Sequence, residues 1–147
     1  LPDKYEAGTA NGPGLAGRGA GADFLRHQGL ATVRCHEMAL WRRFREGLRR
    51  LPGVRVYGPE LDDQSVAIVS LTVDGLQPTD IGFLLDVRAG VMTRTGLHCA
   101  PLAHETIGTL PHGTVRFSFG LQNTETDVDA ALLALGELRR GPRTMSV

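Results

Sequence analysis

Lysine is nearly missing from this sequence: of 16 Lys and Arg in 147 residues, only Lys4 is a lysine. Chemistry that needs a buried Schiff-base lysine deep in the polypeptide is therefore excluded for this chain on its own. Cysteine is scarce as well. Cys35 and Cys99 are the only two, which excludes a disulfide framework and makes the cytoplasm the expected compartment. An excess of charge of one sign is also lacking. Sixteen basic residues balance 16 acidic ones, so no global field exists to hold nucleic acid or an anionic membrane, and neither is expected as a partner. No apolar run approaches the roughly 20 residues that span a bilayer. The opening LPDKYEAGTANG has neither the charged nor the apolar region of a signal peptide.

What is present is ordinary globular composition, 41% hydrophobic and 22% charged, which suits neither a disordered tail nor a collagen-like repeat. A chain of this length makes one domain or two small ones and can bury roughly two-thirds of its unfolded surface.

From Glu6 to Ala22 small residues dominate, six of them glycines, so this stretch reads as a loop followed by a helix with a small-residue face. Gly12-Pro-Gly14-Leu-Ala-Gly17 satisfies the GxGxxG pattern, but no hydrophobic strand precedes it, so it reads as a coincidence of glycine abundance. Leu30, Val33, Glu37, Trp41, Phe44, Leu48 and Leu51 recur at helical spacing, and Pro52-Gly53 ends that helix. Residues 54–57 alternate as a short strand, and the β-branched run Ser65 to Val73 predicts a central one. Pro78 opens a helix carrying Ile81, Leu84 and Leu85. Val91 to Arg94 reads as a short strand, 95–113 as an aperiodic loop, and Thr114 to Phe119 as an alternating strand. Asn123-Thr124 with Asp127 resembles a capping box before a helix with Val128, Ala131, Leu132, Leu135 and Leu138 on one stripe. The residues from Gly141 are expected to fray. Helices interspersed with short strands predict an α+β fold, a small open, mainly antiparallel sheet covered on one face by helices.

Cys99 is the first candidate for chemistry. Arg94 and His98 precede it in a polar loop, and cationic neighbours favour the reactive thiolate; the competing assignment is a small buried hydrophobe. Cys35, within the long helix, reads as a core or flank residue. His98, Cys99, His104 and His112 also offer metal-donor types, but the spacings of a structural zinc site are lacking, so no metal is expected; His104 reads as a polar loop or packed histidine. Arg94 and Arg116 lie at strand-like positions beside apolar residues. Each offers either a planar fork for a ligand carboxylate or one half of a structural ion pair.

Several segments, in order, resemble the C-terminal part of the cysteine desulfurases, within the class-V aminotransferase group of pyridoxal-phosphate enzymes. They are Tyr5-Glu-Ala-Gly-Thr9 with Asn11, Leu51-Pro-Gly-Val-Arg-Val-Tyr-Gly58, Arg94-Thr-Gly-Leu-His-Cys-Ala-Pro-Leu102, and Gly113-Thr-Val-Arg-Phe-Ser118 with Asn123-Thr124. Ala10 replaces the family's common proline, and Lys4 its common arginine.

The resemblance implies the small C-terminal domain of a pyridoxal-phosphate aminotransferase-like enzyme, with a Gly-rich cofactor loop and linking helix over 1–22 and the small domain over 23–147, its reactive loop at 95–113. It implies that Cys99 attacks the sulfur of substrate cysteine, leaving a persulfide and alanine. Arg116 and Arg94, with His98, would bind the substrate, and Thr9 with Gly8 would reach the cofactor phosphate of a neighbouring subunit in a homodimer. A small amino acid as substrate, a sulfur-acceptor protein and a place in iron–sulfur cluster assembly follow from the same likeness. The family's large domain, with its cofactor lysine, has no counterpart here. The chain is therefore expected to be a piece of a longer enzyme, inactive alone and unable to hold pyridoxal phosphate covalently. The alternatives are a stand-alone binding or sulfur-carrier module, a selenocysteine lyase, and a class-V aminotransferase of another substrate.

Overall fold

The computed structural model describes Lys4 and residues 8–139. Tyr5, Glu6 and Ala7 of the first quoted segment, and the stretch from Gly141, lie outside the described residues. The chain divides into two compact units, one ending at Cys35 and the other beginning at His36.

In the first unit the glycine-rich stretch folds as helix α1 (Gly12–Gln28), opened by the Asn11 side chain, which accepts a hydrogen bond from the Gly14 N–H at 3.0 Å. The GxGxxG glycines are therefore helical residues, and no strand precedes them among the described residues. No residue of α1 is buried.

Helix α2 (Leu30–Leu48) runs on into the second unit. There it is followed by β1 (Val54–Tyr57), β2 (Ile68–Val73), α3 (Pro78–Ala89), β3 (Arg94–Gly96), α4 (Pro101–Thr106), β4 (Thr114–Ser118) and α5 (Glu125–Arg139). The four strands form one antiparallel sheet in the order β1-β2-β4-β3. The expected α+β fold with an open antiparallel sheet is what the chain adopts.

Strand alternation sorts the sheet into two faces. Val69, Leu71 and Val73 of β2 and Val115 and Phe117 of β4 turn to one side and are buried, with Val69 opposite Phe117 and Leu71 opposite Val115. Met38, Leu40, Trp41, Phe44 and Leu48 of α2, Ile81 and Leu85 of α3, and Val128, Ala131, Ala134 and Leu135 of α5 join the same core. Phe44 has no exposed surface; its ring centroid lies 4.8 Å from that of Phe117 and 5.2 Å from that of Phe119. The capping box at the start of α5 is reciprocal: the Thr124 N–H donates to Asp127 Oδ2 (2.8 Å) and the Asp127 N–H to Thr124 Oγ1 (3.4 Å). These bonds hold the Asp127 carboxyl below its usual range. Arg43 of α2 donates to both carboxylate oxygens of Asp129 at 2.8 and 2.7 Å, strapping α2 to α5.

Three details differ from expectation. Leu30 is 69% exposed, whereas Met38 and Leu40, outside the expected stripe, are buried. The short strand begins at Arg94 rather than ending there. The supposed loop 95–113 contains α4, a six-residue helix opened by Pro101.

Candidate active site

The expected site residues of the strands gather on the face of the sheet away from the core. In register, Tyr57 pairs with Ser70, Ser70 with Arg116, and Arg116 with Arg94, and paired residues project to the same side. Two guanidinium-bearing residues thus sit directly opposite each other on β4 and β3. Neither has a carboxylate within salt-bridge distance among the described residues, so no structural ion pair holds either of them there. Three buried side-chain polar atoms of the described residues lack a hydrogen-bond partner: Arg116 Nε, His98 Nδ1 and Thr93 Oγ1. Arg116 Nε and His98 Nδ1 belong to this side of the sheet, whereas Thr93 Oγ1 faces Gly82 of α3 on the core side. Orphaned buried donors and acceptors are costly, about 1–3 kcal/mol each, and two of them beside the paired arginines mark a candidate ligand site.

Beyond β3 the chain makes a tight turn. The Ala100 N–H donates to the Leu97 carbonyl at 2.8 Å, and both central residues, His98 (φ 51°) and Cys99 (φ 61°), are left-handed. They are the only non-glycine residues with positive φ among those described, and such a conformation costs about 1–2 kcal/mol per residue. The turn lifts Cys99 into solvent, with its Sγ 3.9 Å from Arg94 Nη2. The buried-hydrophobe assignment for Cys99 is thereby overturned. An exposed sulfur is open to a substrate or reagent, and the thiolate is the form of a cysteine that acts as a nucleophile.

His98 turns back toward the sheet, its Nε2 3.3 Å from Thr114 Oγ1. Burial, and then the nearby Arg116, His104 and Arg94, push its pKa below the usual 6.5, so the ring is neutral at physiological pH. The unfolded chain takes up the proton first, so His98 subtracts stability as pH falls below about 6.5 and contributes no slope above it. Replacing His98 by Gln therefore flattens the loss of stability between about pH 7 and about pH 5, read from urea midpoints at each pH. An unchanged slope would show that the ring titrates as it does in an unfolded chain.

Four of the expected site residues, Arg94, His98, Cys99 and Arg116, are thus brought together. Gly8 and Thr9 belong to the other unit, in an exposed bend before α1 that lines a cavity of about 550 Å³ with Asn11, Gly14 and Arg18. Among the described residues no three His, Cys, Asp or Glu side chains converge to hold a metal, so His98, Cys99, His104 and His112 do not form a ligand set. Cys35 is exposed and outside the core. His104 is the packed histidine, 5% exposed. Ser70 and Tyr57 escaped sequence analysis as neighbours of Arg116, because only the strand register aligns them; the alternation in β4 did signal that Arg116 points away from Val115 and Phe117.

The family pattern described as Aminotransferase class-V matches residues 1–131. The chain belongs to the class-V aminotransferase family. Among the members of this family that it resembles, the probable cysteine desulfurase of Halobacterium salinarum is 39% identical over 142 residues, covering 95% of this chain and 32% of that protein. Probable cysteine desulfurase 2 of Mycobacterium leprae is 38% identical over 138 residues, covering 94% of this chain and 32% of that protein. Of solved structures, the apo cysteine desulfurase of Thermococcus onnurineus superimposes with a TM-score of 0.88 at 36% identity, over 95% of this chain and 34% of that one. The cysteine desulfurase CsdA (S-sulfonic acid) of Escherichia coli gives 0.84 at 28% identity, over 95% of this chain and 33% of that one. The chain spans about a third of the length of these relatives. No helix among the described residues is long and apolar enough to cross a membrane.

Proposed function

We propose that this chain is the small-domain third of a pyridoxal-phosphate-dependent cysteine desulfurase, in which Cys99 takes the sulfur of L-cysteine. The observation that carries this is the unpartnered, buried Nε of Arg116 directly across the strand pair from Arg94, whose other role is to face the Cys99 sulfur. Two guanidinium groups, with no acid paired to them among the described residues, make a seat for a carboxylate, and a thiol stands at its edge. Substrate cysteine offers a carboxylate for the seat and a sulfur for the thiol.

The residues present fit part of a pyridoxal-phosphate enzyme. The orphaned Arg116 Nε and His98 Nδ1 suit the amino-acid substrate. The covalent lysine has no candidate beyond Lys4 and is assigned to polypeptide outside this chain. Gly8 and Thr9, in the loop-and-helix segment 1–22, are assigned to the cofactor phosphate of a neighbouring subunit in a cytoplasmic homodimer. When bound, the cofactor supplies an electron sink on the substrate side. On the protein side, Arg116 and Arg94 fix the carboxylate while the Cys99 thiolate attacks the substrate sulfur. The new S–S bond forms as the substrate carbon–sulfur bond breaks. The electron pair stays with carbon, which takes a proton to become alanine, and Cys99 is left as a persulfide for a sulfur-acceptor protein, the entry to iron–sulfur cluster assembly.

The test uses the longer polypeptide that joins this chain to a lysine-bearing domain, loaded with pyridoxal phosphate. L-cysteine should yield alanine and one persulfide on Cys99, located by peptide mass spectrometry, and Cys99→Ala should lower sulfur transfer at least about hundredfold. Undiminished transfer by Cys99→Ala, or amino-group transfer in place of alanine formation, would overturn the assignment.

A further inference from the structure

The turn that carries Cys99 is held from behind. His104 of α4 is buried, and its Nδ1 shares a 2.6 Å hydrogen bond with Oγ1 of Thr109, itself 7% exposed. The Thr109 N–H donates to the His104 carbonyl at 2.8 Å, and the Thr109 carbonyl accepts from the Gly113 N–H at 2.7 Å, just before β4. On its other side the His104 ring lies 5.6 Å, centroid to centroid, from the ring of His98, whose Nε2 meets Thr114 of β4. A chain of contacts therefore runs Thr109, His104, His98, Thr114, closed at both ends on the beginning of β4.

A six-residue helix is too short to persist on its own hydrogen bonds, so tertiary contacts must fix α4. Two successive left-handed residues likewise persist only when their surroundings over-determine them. The His98 side chain is the part of that pair which is anchored; Cys99 is exposed and touches Arg94.

We propose that His104, locked by Thr109, is a positioning residue: its ring fixes the His98 ring and so keeps Cys99 in the left-handed conformation that presents its sulfur to Arg94. This deepens the assignment of Cys99 as nucleophile and rests on it for its purpose. The experiment, however, reads the reactivity of Cys99 itself rather than turnover, so either idea can fail without the other.

The measurement is the ratio of Cys99 to Cys35 alkylation by iodoacetamide, followed across pH by peptide mass spectrometry, with Cys35 as an exposed internal control. Thr109→Val is expected to lower the ratio about fivefold near neutral pH, and Thr109→Ser, which keeps the hydroxyl, to restore it within about twofold. His104→Asn keeps a polar partner for Thr109 but removes the ring. Its ratio should fall as well, and the NMR titration midpoint of His98 should rise toward 6.5 as His104 and the burial it provides are lost. An unchanged ratio in folded Thr109→Val, a serine variant that behaves like valine, or an unmoved His98 midpoint in His104→Asn would overturn the proposal. Global unfolding of either variant would do the same, since the pair would then be holding the fold rather than the turn.

Discussion

Replacing Arg116 by leucine is expected to make the unit beginning at His36 more stable while removing one of the two guanidinium groups proposed to seat a carboxylate. The guanidinium has an orphaned, buried Nε and lies across the strand pair from a second arginine, with no carboxylate paired to either among the described residues. Removing one buried unsatisfied donor and one like-charge juxtaposition should raise stability by about 1–2 kcal/mol, read as a higher urea midpoint at unchanged slope. In the longer desulfurase proposed above, the same change would remove charge-assisted hydrogen bonds worth about 1.5–3 kcal/mol each, so kcat/KM for cysteine should fall roughly hundredfold to thousandfold. Arg116→Lys should recover charge but not the fork, and only a small part of the activity. A less stable leucine variant would mean that Arg116 has a structural partner after all. A variant that turned over cysteine normally would place the carboxylate elsewhere.

The second large effect is expected at Gly113, where the backbone approaches β3. A Cβ there would stand 2.1 Å from the Gly96 carbonyl oxygen and 2.8 Å from its Cα, backbone atoms that no side-chain rotation can move aside, and Gly113 has φ 76°. Gly113→Ala should therefore cost about 3 kcal/mol or more, from left-handed strain plus overpacking. Gly108 provides the control: it has φ 71° but nothing within 4 Å of a built Cβ, so its alanine variant should lose only about 1 kcal/mol. The difference between the two isolates the backbone collision. Because β3 carries Arg94 and leads into the Cys99 turn, Gly113→Ala should also bring Cys99 alkylation down toward that of Cys35. Equal costs at 108 and 113 would show that β3 can move away without loss.

Much of the fold was legible because its signals are local. The β-branched run in β2, the alternation in β4 and the reciprocal Thr124–Asp127 cap each state their structure within ten residues. Helix α4 was not legible, since six residues make too few turns to show a period and its buried face is a histidine, not a hydrophobe. The inner stripe of α2 was misplaced at its start: Leu30 fits the spacing but belongs to the part of the helix before His36, outside the core that Met38 and Leu40 enter. At the site, the residue types of Arg94, Cys99 and Arg116 were visible in their segments. Their adjacency was supplied by the likeness to a family, and physically it arises from the pairing of β3 with β4, a contact that no local pattern encodes. The anchoring of His98 by His104 and Thr109 escaped for the same reason.

The alternation within β2 and β4 has a further consequence. Each strand spends every other residue on the interior and the intervening ones on the opposite face, so sliding β4 by a single position would push Arg116 into the core and Val115 out of it, and sliding β2 would expose Val69 and Leu71. Folding therefore proofreads the candidate site: a chain that buries its oil correctly has no freedom left to misplace its arginine. An inserted or deleted residue is therefore tolerable in the turns between strands and not within β2 or β4.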